Sequence, residues 1–325
     1  MRKTTATRSR EVHPQSVQAE TGATPAGVNR RQYPALAERS SPERVRRALR
    51  LAGMRPLPFP PPRARIDLTG KRILITGASS GIGEAASEKL AAHGATVIVV
   101  ARREHLLTAV VNRITAGGGE AIAMPTNLAD LDAIDALVSS VGQVDILINN
   151  AGRSIRRPLL ESLDRWHDVE RTIALNYYAP LRLIRGIAPG MVERGDGHII
   201  NISSWRVMPE SSPFFGIYNA SKAALSAVSR VIDNELADFG VESTTIYYPL
   251  VATPMIAPTR AYDGLAALSA DEAADWIVTA AQTRPLRIMP RKMFPLRALD
   301  LVSPRLLNGV MKRSTPRTKR ATGER

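Results

Sequence analysis

The stretch TGASSGIG, residues 76–83, continues the apolar run RILIT (72–76) and opens a segment with helical periodicity. Its glycines stand at positions 77, 81 and 83. A backbone that approaches a phosphate closely cannot carry Cβ atoms, and a helix that begins there offers free N–H groups and the positive end of its dipole. A strand, a glycine-rich turn and a helix in this order therefore predict a pyrophosphate-binding turn, although a plain tight turn also requires glycine.

Short apolar runs alternate with helical patterns from this turn to about residue 290. The runs lie at 72–76, 96–100, 121–124, 144–149, 198–203, 242–248 and 286–289. Such alternation is typical of parallel strands covered by helices on both faces. The predicted fold class is therefore α/β, a doubly wound parallel sheet (Rossmann fold), in a single domain at residues 67–290.

The net charge of +14 is concentrated at the two ends of the chain. Residues 1–66 carry 14 Lys and Arg against 4 Asp and Glu, residues 284–325 carry 12 against 2, and the middle is negative. We expect 1–66 to be a basic, Pro-rich, mostly disordered extension and 291–325 to be a basic, disordered tail. Solvated arms and arms that contact an anionic membrane surface both remain open, whereas specific binding of nucleic acid is not expected.

Parts of these extensions have patterns of their own. RPLPFPPPR (55–63) predicts a stiff, extended linker, and the segments 41–54 and 294–313 mix apolar and basic residues as interfacial helices do. Cys is absent, and the five His show no ligand spacing, so we predict neither disulfides nor a metal site. No apolar run predicts a transmembrane helix or a signal peptide, so we expect a cytoplasmic protein, with peripheral membrane contact left open.

The pentapeptide YNASK places Tyr218 and Lys222 one helical turn apart, on the same face of a predicted helix. A free Tyr titrates near about 10, which makes it a poor acid at neutral pH. A positive charge nearby favours the phenolate, so we expect Lys222 to lower the pKa of Tyr218. The pair is then suited to proton transfer at a carbonyl oxygen, although the spacing alone could arise by chance.

Four further motifs accompany this pair: TGASSGIG, NNAG (149–152), Asn176 in ALNYYAP, and NISS (201–204). In this order, over about residues 70–290, they resemble the short-chain dehydrogenase/reductase family. The resemblance implies a catalytic tetrad of Asn176, Ser204, Tyr218 and Lys222. Ser203 stays open as the functional serine, because one residue more than is usual in the family separates Ser204 from Tyr218. The cofactor contacts implied by the turn and the resemblance are Gly77, Ser79, Ser80, Gly81, Ile82, Gly83, Arg102, Asn127, Leu128, Asn150, Ala151, Gly152, Tyr218, Lys222, Pro249, Val251 and Thr253.

The resemblance also implies a role for each member of the tetrad. Tyr218 exchanges a proton with the substrate oxygen while a nicotinamide transfers hydride, and Ser204 hydrogen-bonds the same oxygen. Lys222 also holds the nicotinamide ribose, and Asn176 anchors a chain of water molecules. The chain departs from the family at Asn127, usually Asp, and at Pro249-Leu250, usually Pro-Gly, which leaves the path of the following cofactor loop open. Family members commonly form dimers or tetramers, so a homo-oligomer is expected by analogy.

The end of the second strand, VIVVARR (97–103), bears on the choice of cofactor. An acidic residue there binds the ribose 2′-OH of NAD, whereas Arg accepts the 2′-phosphate of NADP. Arg102 and Arg103 stand where an Asp is expected for NAD. We therefore predict NADP(H), with NAD(H) as the alternative.

The substrate side is indicated by apolar residues, namely Trp205, Met208, Phe214 and Phe215, in the loop before Tyr218. They favour a hydrophobic substrate, although ordinary packing explains them as well. NNAGRSIRR, YYPLVATPMIAPT and DEAADWIV resemble actinobacterial acyl-CoA reductase-type members of the family and the second reductase domain of bacterial fatty acyl-CoA reductases. The three arginines of NNAGRSIRR could contact CoA phosphates or form a solvated loop.

These observations together favour one function and leave two alternatives. We predict an NADPH-dependent reductase of a hydrophobic small-molecule carbonyl substrate, a fatty aldehyde or a long-chain acyl-CoA. The first alternative is an alcohol/ketone oxidoreductase that acts on a steroid or ketoacyl lipid. The second is a non-catalytic Rossmann-fold binding protein, against which the intact tetrad argues.

Overall fold

The computed structural model describes residues 52–60, 64–209 and 212–314. One sheet is built from β1 (Pro56–Phe59), β2 (Arg72–Thr76), β3 (Thr96–Ala101), β4 (Glu120–Pro125), β5 (Ile146–Asn149), β6 (Gly197–Ser204), β7 (Val241–Tyr248) and, after the short paired strands β8 (Val251–Ala252) and β9 (Leu268–Ser269), β10 (Arg287–Pro290). The helices are α1 (Gly81–Ala92), α2 (Glu104–Ala116), α3 (Leu131–Val141), α4 (Trp166–Ile173), α5 (Ala179–Arg194), α6 (Gly216–Leu236), α7 (Ala270–Thr283), α8 (Met293–Val302) and α9 (Pro304–Ser314).

The strand order across the sheet is β1-β10-β7-β6-β5-β2-β3-β4, and every neighbouring pair is parallel except β1 with β10. Successive side chains of a strand face opposite sides of a sheet, so Leu74 and Ile75 of β2 enter two different apolar layers. Helices α1, α2 and α7 cover one layer, and α3, α5 and α6 cover the other. The predicted doubly wound α/β fold is confirmed.

The order of the strands reverses between β2 and β5. From β2 the chain continues to β3 and β4 on one side, and from β5 it continues to β6 and β7 on the other. In open α/β sheets the crevice at this switch point, outside the carboxyl ends of the strands, is where ligands bind. TGASSGIG follows β2 and NNAG begins at the last residue of β5, so the two motifs meet in this crevice.

The edge strand β1 was not expected, because the sequence predicts a linker at 55–63. Residues 56–59 instead pair antiparallel with β10, from Pro56 opposite Pro290 to Phe59 opposite Arg287. An edge strand tolerates proline because one of its sides needs no ladder donors. The linker prediction is therefore wrong for these four residues, which are too few and too Pro-rich to show a strand pattern.

Helices α8 and α9 occupy most of the segment predicted as a disordered tail, so that prediction is corrected for residues 293–314. Met293 and Leu307 are buried against the rest of the domain, which explains why the segment is ordered. Residues 1–51 and 315–325 lie outside the described residues, and with them most of the predicted helix at 41–54. Among the helices of the described ranges, none has the length and apolar character needed to cross a bilayer.

Candidate active site

The glycine-rich turn and the NNAG loop are held together by hydrogen bonds. The Thr76 hydroxyl accepts from the backbone N–H groups of Asn150 and Ala151, both at 3.0 Å, and the Asn150 side-chain amide donates to the Thr76 carbonyl at 2.9 Å. A Cβ atom at Gly77, whose φ is +69°, would lie 2.9 Å from the Ala151 Cα, and one at Gly83 would collide with the Gly77 carbonyl oxygen. Both glycines are therefore required by the close approach of the two loops.

The N-terminus of α1 opens onto the crevice without a side-chain cap, because the Ser80 side chain makes no capping hydrogen bond. The Arg103 guanidinium lies beside it and donates to the Ser79 hydroxyl at 3.1 Å and to the Ser80 hydroxyl at 3.5 Å. Free helical N–H groups, two hydroxyls and a guanidinium form a site that suits phosphate. A dinucleotide therefore fits the residues present at this end of the crevice.

A cleft of about 960 Å³ runs along the carboxyl edge of the sheet. Of the predicted cofactor contacts, all line the cleft except Gly83, which lies behind the turn. The loop after Pro249-Leu250 is held by the pairing of β8 with β9, and Val251 and Thr253 line the cleft. Gly53, Met54, Arg103, Arg206 and Lys292 were not among the predicted contacts, and they line it too.

The charge on the cleft wall is of one sign. Seven cationic side chains line it, and no Asp or Glu of the described residues does. The seven are Arg102, Arg103, Arg153, Arg171, Arg206, Lys222 and Lys292. Residues 67–283 carry a net negative charge, so the positive charge of this wall is a local feature of the cleft. It creates a positive electrostatic potential that favours anionic ligands.

Ser204, and not Ser203, meets the hydroxyl of Tyr218. Ser204 is hydrogen-bonded to the Tyr218 side chain, and its Oγ accepts from the Arg206 backbone N–H at 3.3 Å. Ser203 lies one residue earlier in β6 and faces α6, where its Oγ is 2.8 Å from the Ser226 Oγ. The geometry therefore favours Ser204 over Ser203 as the partner of Tyr218.

Burial raises the pKa of Tyr218, while the Ser204 hydrogen bond and the positive charge of Arg206 act against that rise. The expected lowering of the pKa of Tyr218 by Lys222 is not found. The Lys222 ammonium instead donates to the Ile202 carbonyl at 2.8 Å, and burial lowers the pKa of Lys222 to about 8. The spacing in YNASK gives the relative position of the two groups correctly, but it cannot show how deeply each is buried.

Asn176 lies in a single π-helical turn, Ala174–Tyr178, between α4 and α5, a type of distortion that is frequent at functional sites. Its Oδ1 accepts from the Arg153 N–H at 2.8 Å, and its amide donates to the Arg153 carbonyl at 2.9 Å and to the Ser221 Oγ at 3.0 Å. Asn176 does not line the cleft. It fixes the loop that follows NNAG, and its role in a water chain stays a prediction.

At the far end of the cleft from the glycine-rich turn, cations rest on aromatic rings. Arg206 lies 4.1 Å from the centre of the Phe215 ring, and Lys292 lies 5.2 Å from the centre of the Trp205 ring. Burial and the nearby charge of Arg206 lower the pKa of Lys292. Cation–π contacts hold these groups in place of carboxylates, so an anion that enters this end meets uncompensated positive charge.

A buried carboxylate anchors the arginines that follow NNAG. Asp168 of α4 is hydrogen-bonded by Arg157, by Arg165 at 3.0 Å and by Arg171 at 2.8 Å, and Arg153 is 3.9 Å away. Arg157 is thus held by an ion pair rather than being part of a purely solvated loop. Arg153 and Arg171 also line the cleft.

The two serines give a matched pair of variants. Ser204→Ala is expected to lower kcat by about 10²-fold, because it removes the hydroxyl that the sequence predicts to hydrogen-bond the substrate oxygen. Ser203→Ala removes a hydroxyl bonded to α6 and is expected to leave kcat nearly unchanged. Steady-state kinetics of both purified variants compares them, and a larger loss in Ser203→Ala would reverse the assignment.

A doubly wound sheet, a phosphate-binding turn at its switch point and a Tyr hydrogen-bonded to a Ser in the same cleft define a dinucleotide-dependent oxidoreductase. The family model described as short chain dehydrogenase matches residues 71–263. The chain belongs to the short-chain dehydrogenase/reductase family.

Individual relatives agree with this membership. The chain is 64% identical to a fatty acyl-CoA reductase of Mycobacterium tuberculosis over 273 aligned residues, and the alignment covers 81% of this chain and 93% of that protein. It is 50% identical over 228 residues to a fatty acyl-CoA reductase of Acinetobacter baylyi, which covers 69% and 77%. Among solved structures, a metagenomic short-chain oxidoreductase in complex with NADP is 32% identical, with a TM-score of 0.57 over 66% of this chain and 92% of that one.

Proposed function

We propose that this oxidoreductase is an NADPH-dependent reductase of a fatty acyl carbonyl, presented as a long-chain acyl-CoA or as the fatty aldehyde. The observation that carries the proposal is the single cleft in which the phosphate-binding turn, the Ser204–Tyr218 pair and a cationic, aromatic far end occur together. Two relatives named fatty acyl-CoA reductase support the substrate class.

The preference for NADPH is supported by the two arginines after β3. Arg102 and Arg103 both line the cleft, and Arg103 reaches the hydroxyls of the turn that would receive the phosphates. A 2′-phosphate beside two guanidiniums is stabilised by charge-assisted hydrogen bonds, whereas NADH has no such group. The related structure solved with NADP supports the same choice.

In the proposed reaction, a bound nicotinamide supplies the hydride to the carbonyl carbon. Tyr218 donates its phenolic proton to the carbonyl oxygen, and Ser204 donates a hydrogen bond to the same oxygen. With the aldehyde this gives the alcohol, and with the acyl-CoA it gives a thiohemiacetal, whose C–S bond then breaks to release CoA as the thiol and leave the aldehyde. The Arg206 N–H bonds the Ser204 Oγ as an acceptor, which leaves the Ser204 proton free to point at Tyr218 or at the substrate. Lys222, buried beside Gly152, holds the nicotinamide ribose, and Asn176 keeps the loop above it in position.

The far end of the cleft supports an acyl group on an anionic carrier better than a steroid. Trp205, Phe215 and Met255 supply apolar wall for a chain, while Arg206 and Lys292 supply positive charge that a neutral steroid ketone does not use. A 3-ketoacyl group on the same carrier also combines an apolar chain with an anion. The ketoacyl alternative is therefore kept as the second candidate.

The proposal is tested by the oxidation of NADPH in the presence of hexadecanoyl-CoA, hexadecanal, a 3-ketoacyl-CoA and a steroid ketone. We expect turnover with the first two, and a kcat/KM for NADPH about 10- to 100-fold above that for NADH, as expected for hydrogen bonds to a charged group. Higher kcat/KM with the ketoacyl or steroid substrate would establish the alternative. No turnover with any of these four substrates would favour the second alternative, a non-catalytic Rossmann-fold binding protein.

Charge reversal separates the two arginines within the same assay. Arg102→Asp and Arg103→Asp are each expected to lower kcat/KM for NADPH more than for NADH. Arg185→Asp, at an exposed position on α5 outside the cleft, is the matched control. A fall in only one of the first two identifies the guanidinium that binds the 2′-phosphate, and equal falls in all three would remove the basis of the cofactor assignment.

A further inference from the structure

Helices α8 and α9 have one face packed on the domain and another that is strongly apolar yet exposed. Met293, Leu307 and Met311 are buried on the inner side. On the outer side, Leu301 is 76% exposed and Val302 is 84% exposed. Phe294, Leu306 and Val310 add to the same exposed set. Single exposed apolar side chains are ordinary on a protein surface, but five within 17 residues are typical of an interaction surface.

The charge around this patch indicates the kind of partner. Residues 291–314 contain six Lys and Arg and one Asp, and all of these cations except Lys292 are exposed. The other strongly exposed apolar segment, residues 159–166, contains one Arg against two acidic residues. Apolar exposure and a clear excess of positive charge therefore coincide in α8 and α9, but not in the segment 159–166.

We propose that α8 and α9 dock this protein onto the surface of an anionic lipid bilayer. Apolar side chains that enter the boundary between head groups and acyl chains, flanked by Lys and Arg at head-group depth, are the pattern of an interfacial helix. Each Lys or Arg near such a surface strengthens binding about fivefold, which corresponds to about 1 kcal/mol. Docking is parallel to the surface, since neither helix is long or apolar enough to span the bilayer.

Docking through α8 and α9 would also place the bilayer near the entrance used by the substrate. Lys292 is the residue before α8, and it lines the far end of the cleft beside Trp205. A bilayer that contacts α8 would therefore lie close to the end of the cleft that we assign to the acyl chain. This consequence rests on the proposed function, whereas docking itself depends only on the exposed face and its charge.

The test is co-sedimentation of the full chain with vesicles of phosphatidylcholine alone, or of phosphatidylcholine with phosphatidylglycerol, at low and high salt. We expect binding to the anionic vesicles at low salt and at least tenfold weaker partitioning at high salt. The double variant Leu301→Asp/Val302→Asp is expected to lose at least tenfold in partitioning. Phe239→Asp is the control, because Phe239 is also exposed but precedes β7, at the amino end of the sheet and away from the cleft.

The outcomes separate the competing readings. Wild-type partitioning by the double variant, or no binding by the wild type, overturns the proposal. Loss of a dimer in the double variant, seen by light scattering, without any vesicle binding by the wild type would assign the face to a second copy of the chain. Reductase activity on a short, water-soluble aldehyde is expected to be unchanged in the double variant. Vesicle binding by a protein without reductase activity would contradict the proposed function and leave docking in place.

Discussion

Replacing Tyr218 with phenylalanine is expected to lower kcat by about 10²–10⁴-fold, the usual contribution of a positioned general acid. The substitution removes only the hydroxyl that Ser204 contacts and keeps the ring that packs against Phe215, 6.2 Å away between ring centres. The cofactor turn and the arginines after β3 are untouched. Binding of NADPH, measured by fluorescence titration, should therefore be nearly the same in the variant and the wild type.

Tyr178→Phe is the matched control for this variant, because Tyr178, the last residue of the π-helical turn before α5, is 51% exposed and lies outside the cleft. It should retain wild-type turnover. If Tyr218→Phe keeps near-wild-type kcat as well, the phenol is not the proton donor. If it loses cofactor binding along with activity, the ring has a structural role that the contacts do not indicate.

The parts of the site that the sequence predicted are those in which a short motif fixes its own geometry. TGASSGIG sets a strand, a turn and a helix within eight residues, and NNAG packs against it through backbone and side-chain groups of Thr76 and Asn150. Tyr218 and Lys222 share one helix, so their relative position follows from helical periodicity. In each case the information is local, and residues of all three motifs line one cleft.

The cationic far end could not be predicted in the same way. Arg206 follows β6 and Lys292 follows β10, and they meet at the Trp205 ring only because the sheet brings these two strand ends to the same edge, separated by β7 alone. The lining residues Gly53 and Met54 enter the cleft because β1 pairs with β10, and the Lys292 N–H donates to the Gly53 carbonyl at 3.1 Å. The sequence showed that these residues are basic or apolar, but their proximity depends on the tertiary fold.

The spacing of residues in the sequence could not predict how deeply the titratable groups are buried either. The pKa of Tyr218 was expected to fall because of Lys222, and burial raises it instead. Burial, the Ser204 hydrogen bond and the charges of Arg206 and Tyr262 together decide the pKa of Tyr218, and all four depend on residues outside YNASK. A pKa above the ordinary value keeps the phenol protonated but makes it a weaker acid than a free Tyr, so the position of the hydroxyl, and not its pKa, supports Tyr218 as the proton donor.

Asp168→Asn is the variant for which the largest loss of stability is expected. The Asp168 side chain is only 5% exposed and is shared among Arg153, Arg157, Arg165 and Arg171. Removal of one partner from a buried ion-pair cluster leaves uncompensated charge, here several guanidiniums without their carboxylate. The free energy of unfolding should therefore fall by at least about 3 kcal/mol. Asp164→Asn, four residues earlier in the chain and exposed, should change it by less than about 0.5 kcal/mol.

The pH dependence of this loss provides a second, independent measurement. Burial of the Asp168 carboxyl raises its pKa, but the hydrogen bonds from Arg171, Arg165 and Arg157 outweigh this and hold the pKa well below its usual value. A carboxyl with a lowered pKa in the folded state contributes stability above its unfolded pKa, about 3.9, and loses that contribution as the pH falls through the folded pKa. The difference between wild type and Asp168→Asn in urea unfolding should thus be constant near neutral pH and shrink below about pH 4. A difference that is absent at neutral pH, or that grows in acid, would show that the arginine cluster does not depend on this carboxylate.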